Sequence, residues 1–265
     1  YQALSEINPR LIYCSITGYG QTGGYQNKAG HDINYVALSG IAGHSGRQHS
    51  GPPPMGIQIA DIAGGSLHSV IGILAAVIER QRSGLGQFID ISMTDCVVGL
   101  SSMAAAASLA GQEKQEPEQS YLNGATFYDY YETQDGRYLS IGSLEPQFLH
   151  GLAQILDLPI VAEKGASLAT EDRQVVKQAI KDKIKTQDFA TWNAIFQQQD
   201  ICVEPVLKLD EALDSQLAKD RAWVVSVPLQ EGSTKSEQQL ACPIKFSRSK
   251  IRYEFIGKPL GFDSL

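Results

Sequence analysis

The stretch "QIADIAGGSLHSVIGILAAVIERQRSGLGQFIDISM", residues 58–93, decides the fold class. Asp61 stands at the N-cap position of a long helix, roughly 20 residues and ~30 Å. Arg80 and Arg82 fall in its last turn, where cations offset the helix dipole, and Gly84 follows as a stop. "GQFIDISM" then reads as a strand. Upstream, residues 11–16 form another short, apolar, β-prone strand. A glycine-rich loop follows (Gly18, Gly20, Gly23, Gly24, Gly30), then a helix over residues 32–40 that ends in Ser-Gly, then the proline-stopped loop "RQHSGPPP". Downstream, residues 94–110 read as one closely packing helix rich in alanine and serine. Strands alternating with helices make the class α/β.

The composition changes at "GQEKQEPEQS", residues 111–120, a charged linker containing proline. Beyond it, "TFYDYYETQDGRYLSIGSL" reads as a β-hairpin around Gln-Asp-Gly. "EPQFLHGLAQILDL" reads as a helix with Pro146 in its first turn. Amphipathic helices are expected near residues 172–185 and 188–199. "ICVEPVL" and "AWVVSVPL" read as strands and "LDEALDS" as a short helix. The tail from Gln230 is polar until "ACPIKFSRS" returns to apolar order. The expected division is 1–110 as one large domain, 111–124 as linker, 125–228 as a small α+β domain, and 229–265 as a second linker returning to the large domain.

Composition excludes several classes. The chain has 265 residues, 43% hydrophobic and 19% charged, so it can bury a core. A net charge of −7 argues against nucleic acid and anionic membrane as partners. Cys14, Cys96, Cys202 and Cys242 lie far apart and read as buried thiols of a reducing, cytoplasmic compartment. Residues 70–78, the longest apolar run, are too short to span a membrane, and no signal peptide is seen. The chain opens at Tyr1 just ahead of a strand, so it reads as a piece of a longer one.

Three ionisable residues begin helices after strands or loops: His31, Asp61 and Glu145. Free N–H groups and the helix dipole gather at such places, where α/β proteins put polar site residues. Each also has an ordinary reading, Asp61 as a cap, His31 as a loop histidine and Glu145 as a first-turn carboxylate. No Walker loop, G-x-S-x-G or H-E-x-x-H occurs, and no cysteine cluster suggests a metal. No metal site is expected.

Taken in order, "GHDINYVALSG" (30–40), "ADIAGG" (60–65), "GSLEPQF" (142–148) and "PIKF" (243–246) resemble the class III CoA-transferase superfamily of CaiB–BaiF type, and within it the α-methylacyl-CoA racemase branch. The resemblance spans nearly the whole chain. It implies a partial Rossmann-like large domain with a small α+β domain, in an interlocked homodimer of the cytoplasm and of lipid metabolism. It implies an acyl-CoA thioester as substrate, with CoA as part of the substrate and no separate cofactor.

The implied reaction is racemisation of 2-methylacyl-CoA by 1,1-proton transfer through an enolate. His31 works on one face of the α-carbon and Asp61 on the other, with Glu145 behind the imidazole, in the same chain or a partner's. The backbone N–H of Asp61 is the implied donor to the enolate oxygen. Gly30, His31, Asp32, Ile33, Asn34 and Tyr35 map onto the family's binding segment, and Ile33, Tyr35, Leu38 and Ile62 could form the acyl surface. In the transferases, the aspartate matching Asp61 is instead an acyl-carrying nucleophile. These usually have an aromatic residue in place of His31 and a glycine-rich loop in place of "GSLEPQF". Two departures stand out. The family's N-terminal portion, with the cations that hold the CoA phosphates, is not present before Tyr1, and no terminal Gly-x-His-Thr segment is seen. The chain as given is therefore expected to be weak or inactive, and an inactive fragment stands as a third alternative.

Overall fold

A short helix, α1 (Gln2–Ile7), leads into β1 (Tyr13–Thr17), which pairs in parallel with β2 (Phe88–Ser92) so that Cys14 lies opposite Ile89 and Ile16 opposite Ile91. The computed structural model describes residues 1–111, 115–258 and 261. Part of the expected linker (112–114) and of the C-terminal return (259, 260 and 262–265) lies outside the described residues. Between β1 and β2 come α2 (Asp32–Leu38), α3 (Ile41–His44) and one long helix. That helix opens as a π-helix over Ala60–Leu67 and continues as α4 (His68–Ser83). It closes on Gly84, whose φ of 78° suits a residue without Cβ, and Gly84 N–H donates to the Arg80 carbonyl.

The helix corrects two expectations. Its N-cap is Ile59, and Asp61 is the second residue inside the helix. The whole of Ala60–Ser83 is also long and apolar enough to cross a membrane by length and composition, although no such stretch was expected. The glycines, serines and His68 that break the apolar run in sequence do not break the helix. One side meets the sheet, where Gly72 lies against Ile89 and Ala76 is buried, while Ile71, Leu74 and Ile78 are exposed.

The expected single helix over 94–110 is two, α5 (Met93–Leu100) and α6 (Ser102–Leu109). Ser101 leaves the helical region at ψ 26°, and its hydroxyl bonds back to the Val98 carbonyl, a local contact that competes with the helix ladder.

The hairpin forms as β3 (Asp129–Glu132) and β4 (Tyr138–Ile141), with Tyr131 opposite Leu139 and β5 (Val203–Pro205) on the outer side of β4. On it pack α7 (Pro146–Leu156), α8 (Pro159–Lys164), α9 (Thr170–Ile184) and α10 (Phe189–Phe196). Their apolar stripes bury Leu149, Leu152, Leu156, Val176, Ile180, Ile184 and Trp192 in one core with Phe127, Leu139 and Ile141. The indole N–H of Trp192 donates to the Ile184 carbonyl at 2.7 Å.

Residues 1–204 form one compact unit and residues 205–265 a second. The second contains α11 (Leu209–Asp214), α12 (Gln216–Asp220) and an antiparallel pair, β6 (Val224–Pro228) and β7 (Ser236–Leu240). The polar stretch "SEQQL" gives no apolar alternation to read, and its backbone pairing alone makes it a strand. "PIKF" forms no regular element, and Ile244 and Phe246 are exposed rather than buried. The cysteines also depart from expectation: Cys14, Cys96 and Cys242 are half-buried and Cys202 is exposed.

Candidate functional site

His31 caps α2 with extended backbone, φ −127° and ψ 173°, and its N–H donates to Asn34 Oδ1 at 3.0 Å. This side-chain bond holds the turn, and the imidazole is left exposed. Beneath it Tyr35 is buried, and its hydroxyl donates to the Gly30 carbonyl at 2.5 Å. A Cβ on Gly18 would lie 2.3 Å from the Tyr35 ring and one on Gly30 2.7 Å, so both loop glycines are there for close approach. Tyr19 packs edge-on to Tyr35 at 5.1 Å and Tyr25 edge-on to Tyr19 at 5.5 Å, with the Lys28 ammonium over Tyr25. Burial pushes the Tyr35 phenol up, and Tyr19 and the carboxylates of Asp61 and Asp32 push it further.

Asp61 is half-buried in the first turn of the π-helix. Its N–H does not stand free for an enolate oxygen, as the resemblance implied. The carboxylate of Asp32 accepts from it at 3.0 Å and from the Ala60 N–H at 2.6 Å, both through Oδ1. The side chain after His31 thus ties the start of α2 to the start of the helix bearing Asp61. The Gly-Gly of "ADIAGG" serves packing. A Cβ on Gly64 would sit 3.1 Å from the Met93 carbonyl, and one on Gly65 3.1 Å from Ile16, so the π-helix seats tightly on α5 and β1. Of the other predicted residues, Ile33, Leu38 and Ile62 are exposed, whereas the Tyr35 ring is packed in the core.

Glu145 caps α7 from an exposed position. It stands beside Cys202, whose thiol is pushed up by burial first and then by Glu145, Asp200 and Glu204. Among the described residues no hydrogen bond or ion pair joins Glu145 to His31 or Asp61 of the same chain. The structure therefore brings His31, Asp32 and Asp61 together and leaves Glu145 with the β3–β4 sheet.

Beside the β3–β4 sheet opens a cavity of about 810 Å³, lined largely by apolar surface from the 44–53 loop, Leu122, Tyr128, Tyr130, Ile141 and Gly142, with Cys202 and Glu204 at its wall. At its edge lies an ionic cluster absent from the sequence reading. Arg47 grips Asp129 with two bonds of 2.6 Å and reaches Glu118 at 2.9 Å, while Lys177 meets Asp129 at 2.7 Å. Hydrogen bonding to Asp129 pushes the Arg47 guanidinium further up, so it stays charged. Burial acts to raise Asp129, but bonds from Arg47 and Lys177 outweigh it and hold the carboxyl below its usual range. The four residues are too far apart in sequence to leave a spacing signal. Among the described residues no three His, Cys, Asp or Glu side chains gather as a metal-ligating group.

The family model for CoA-transferase family III matches residues 1–264. The chain belongs to that family. This family III chain is similar to mouse alpha-methylacyl-CoA racemase, 40% identical over 227 residues that cover 85% of the chain and 59% of the relative. It is also similar to human succinyl-CoA:glutarate CoA-transferase, 30% identical over 210 residues, 78% of the chain and 48% of the relative. A CaiB/BaiF family protein from Brucella suis has the same fold, with a TM-score of 0.75 and 27% identity over 96% of this chain and 66% of that one. The chain thus spans about three fifths of the length of the racemase it matches. The α/β fold expected from the quoted motifs is the fold of this family.

Proposed function

We propose that the protein containing this chain racemises 2-methylacyl-CoA thioesters by moving the α-proton between two faces. The reading is carried by the bridge through Asp32, which ties the residue after the exposed His31 to the backbone of the half-buried Asp61. One group takes the α-proton, the C–H electron pair passes into the thioester as an enolate, and the other group returns a proton to the opposite face. The roles exchange with substrate handedness, and neutral imidazole suits the task near neutral pH. The similarity to named racemases supports this reading. The relatives are enzymes by name, which favours an enzyme over an inactive fragment.

Among the described residues no hydrogen bond or ion pair joins Glu145 to His31, and in this reading Glu145 supports the imidazole from a second copy in a homodimer. Mixing His31→Ala with Glu145→Ala chains tests this, because only a shared site lets two inactive chains restore activity together.

The similarity to a CoA-transferase favours a second reading, in which Asp61 attacks the thioester and carries the acyl group as an anhydride. One experiment decides between them. A 2-methylacyl-CoA is incubated in D₂O with the full-length protein and its His31→Ala and Asp61→Ala variants. Deuterium uptake that either variant abolishes supports the racemase. No uptake, with CoA passing to an added carboxylate and hydroxylamine trapping Asp61, supports the transferase.

A further inference from the structure

We infer that Asp32 is a positioning residue that fixes Asp61 relative to His31, rather than a residue that binds substrate. The inference rests on the proton-transfer reading of those two residues.

A π-helix bonds each N–H to the carbonyl five residues back, so its opening leaves more unpaired N–H groups than an α-helix does. In this chain Ile62 N–H reaches the Gln58 carbonyl, while those of Ala60 and Asp61 precede the ladder. Both point to one acceptor, Asp32 Oδ1, at 2.6 and 3.0 Å. Ala60 is fully buried, so water does not serve its N–H in place of the carboxylate. A negative charge there also meets the positive end of the helix dipole.

The acceptor comes from a second helix. Asp32 is the first residue of α2 and His31 is its N-cap. Their Cα atoms are ~3.8 Å apart across one trans peptide. The path from the His31 backbone through the Asp32 side chain to the Asp61 backbone is therefore short. Asn34 holds the His31 end by accepting its N–H, and Tyr35 holds the loop before it through Gly30. Two groups that must flank one carbon are thereby linked by a single carboxylate. Because Asp32 Oδ1 is occupied by two backbone donors, its work is geometric.

The test uses the full-length protein with Asp32→Ala and Asp32→Asn, measured by α-proton exchange from both epimers of a 2-methylacyl-CoA. Asp32→Ala is expected to lower kcat about 10²-fold, the effect of ångström-scale misplacement, with KM within about threefold of wild type. Asp32→Asn keeps an acceptor oxygen in the same place and is expected to restore most of kcat. A raised KM with kcat intact in Asp32→Ala makes Asp32 a substrate contact and overturns the proposal. So does an Asp32→Asn protein as slow as Asp32→Ala while the amides of Ala60 and Asp61 stay protected from hydrogen exchange.

The failure of the racemase reading is separately visible, since wild type would then exchange no α-proton. The link is then judged on amide exchange alone. Protection at Ala60 and Asp61 in wild type that is lost in Asp32→Ala and kept in Asp32→Asn supports it, and equal rates in all three proteins overturn it. If Asp32→Ala does not fold, Asp32→Asn and the wild-type amides decide.

Discussion

Trp192 and Tyr35 are both buried aromatic rings with a bonded polar atom, yet their surroundings differ. Trp192 sits in a continuous core drawn from four helices and a sheet, stacked on Phe196 at 5.5 Å. Among the described residues Tyr35 shares its cluster with the buried Val36, Ala60 and Val97, and what holds it is glycine contact and hydrogen bonding. Around Trp192 apolar area sets stability. Around Tyr35 a few polar links set geometry, and two of the three ionisable candidates, His31 and Asp61, lie there. The difference separates a region built to stay folded from one built to place charged groups.

Turnover and stability should respond to different substitutions in the two regions. His31→Ala or Asp61→Asn is expected to slow α-proton exchange by about 10²–10⁴-fold, the usual worth of a positioned acid or base. The unfolding midpoint should barely move, because His31 is exposed and Asp61 only half-buried. Conversely, Trp192→Ala is expected to cost about 3–5 kcal/mol of stability, read from denaturant unfolding, since it removes a filled volume and the indole donor to the Ile184 carbonyl. The surviving folded fraction should turn over at the wild-type rate. A Trp192→Ala protein that loses turnover per folded molecule would show that the two regions are not separable.

Much of this contrast was legible in sequence. Helices such as Pro146–Leu156, with an apolar stripe and a proline start, declare themselves by periodicity. So did the positions of His31 and Asp61 at helix starts. The side chain that joins them was not legible as a joint. Asp32 entered the sequence reading only as part of the implied binding segment, and its partners, the N–H groups of Ala60 and Asp61, lie 28 and 29 residues on. The π-helical opening that leaves those groups free has no composition signal. Arg47 meets Asp129 across 82 residues for the same reason, and β7 forms from backbone pairing that no side chain announces.

The Arg47 cluster gives a smaller effect with a defined sign. The Asp129 carboxyl lies below its ordinary value because bonds from Arg47 and Lys177 outweigh the opposing effect of burial. Its stabilisation is complete above the unfolded value of about 3.9 and fades as pH falls through the lower folded value. Asp129→Asn is expected to cost about 2 kcal/mol at neutral pH, typical of bonds to a charged group, and to flatten the acid limb of a stability profile measured by urea unfolding. An unchanged acid limb would show that the cluster does not couple to folding.

Helix caps allow the same local change in both regions. Ser92 caps α5 by accepting from Asp95 N–H at 3.2 Å, and Asp188 caps α10 by accepting from Thr191 N–H at 2.8 Å. Ser92→Ala is expected to cost about 1 kcal/mol, the common worth of a cap, and Asp188→Ala to lower the thermal midpoint measurably. Their consequences for turnover should part. α10 carries Trp192 into the dense core, where a frayed first turn moves nothing near His31. α5 is the floor on which Gly64 and Gly65 seat the π-helix, through the Met93 carbonyl and Val97. Loosening that floor shifts Asp61, so Ser92→Ala should slow α-proton exchange several-fold while Asp188→Ala leaves it unchanged. Equal rates in the two variants would mean that the Asp32 link holds Asp61 in place even without the floor beneath it.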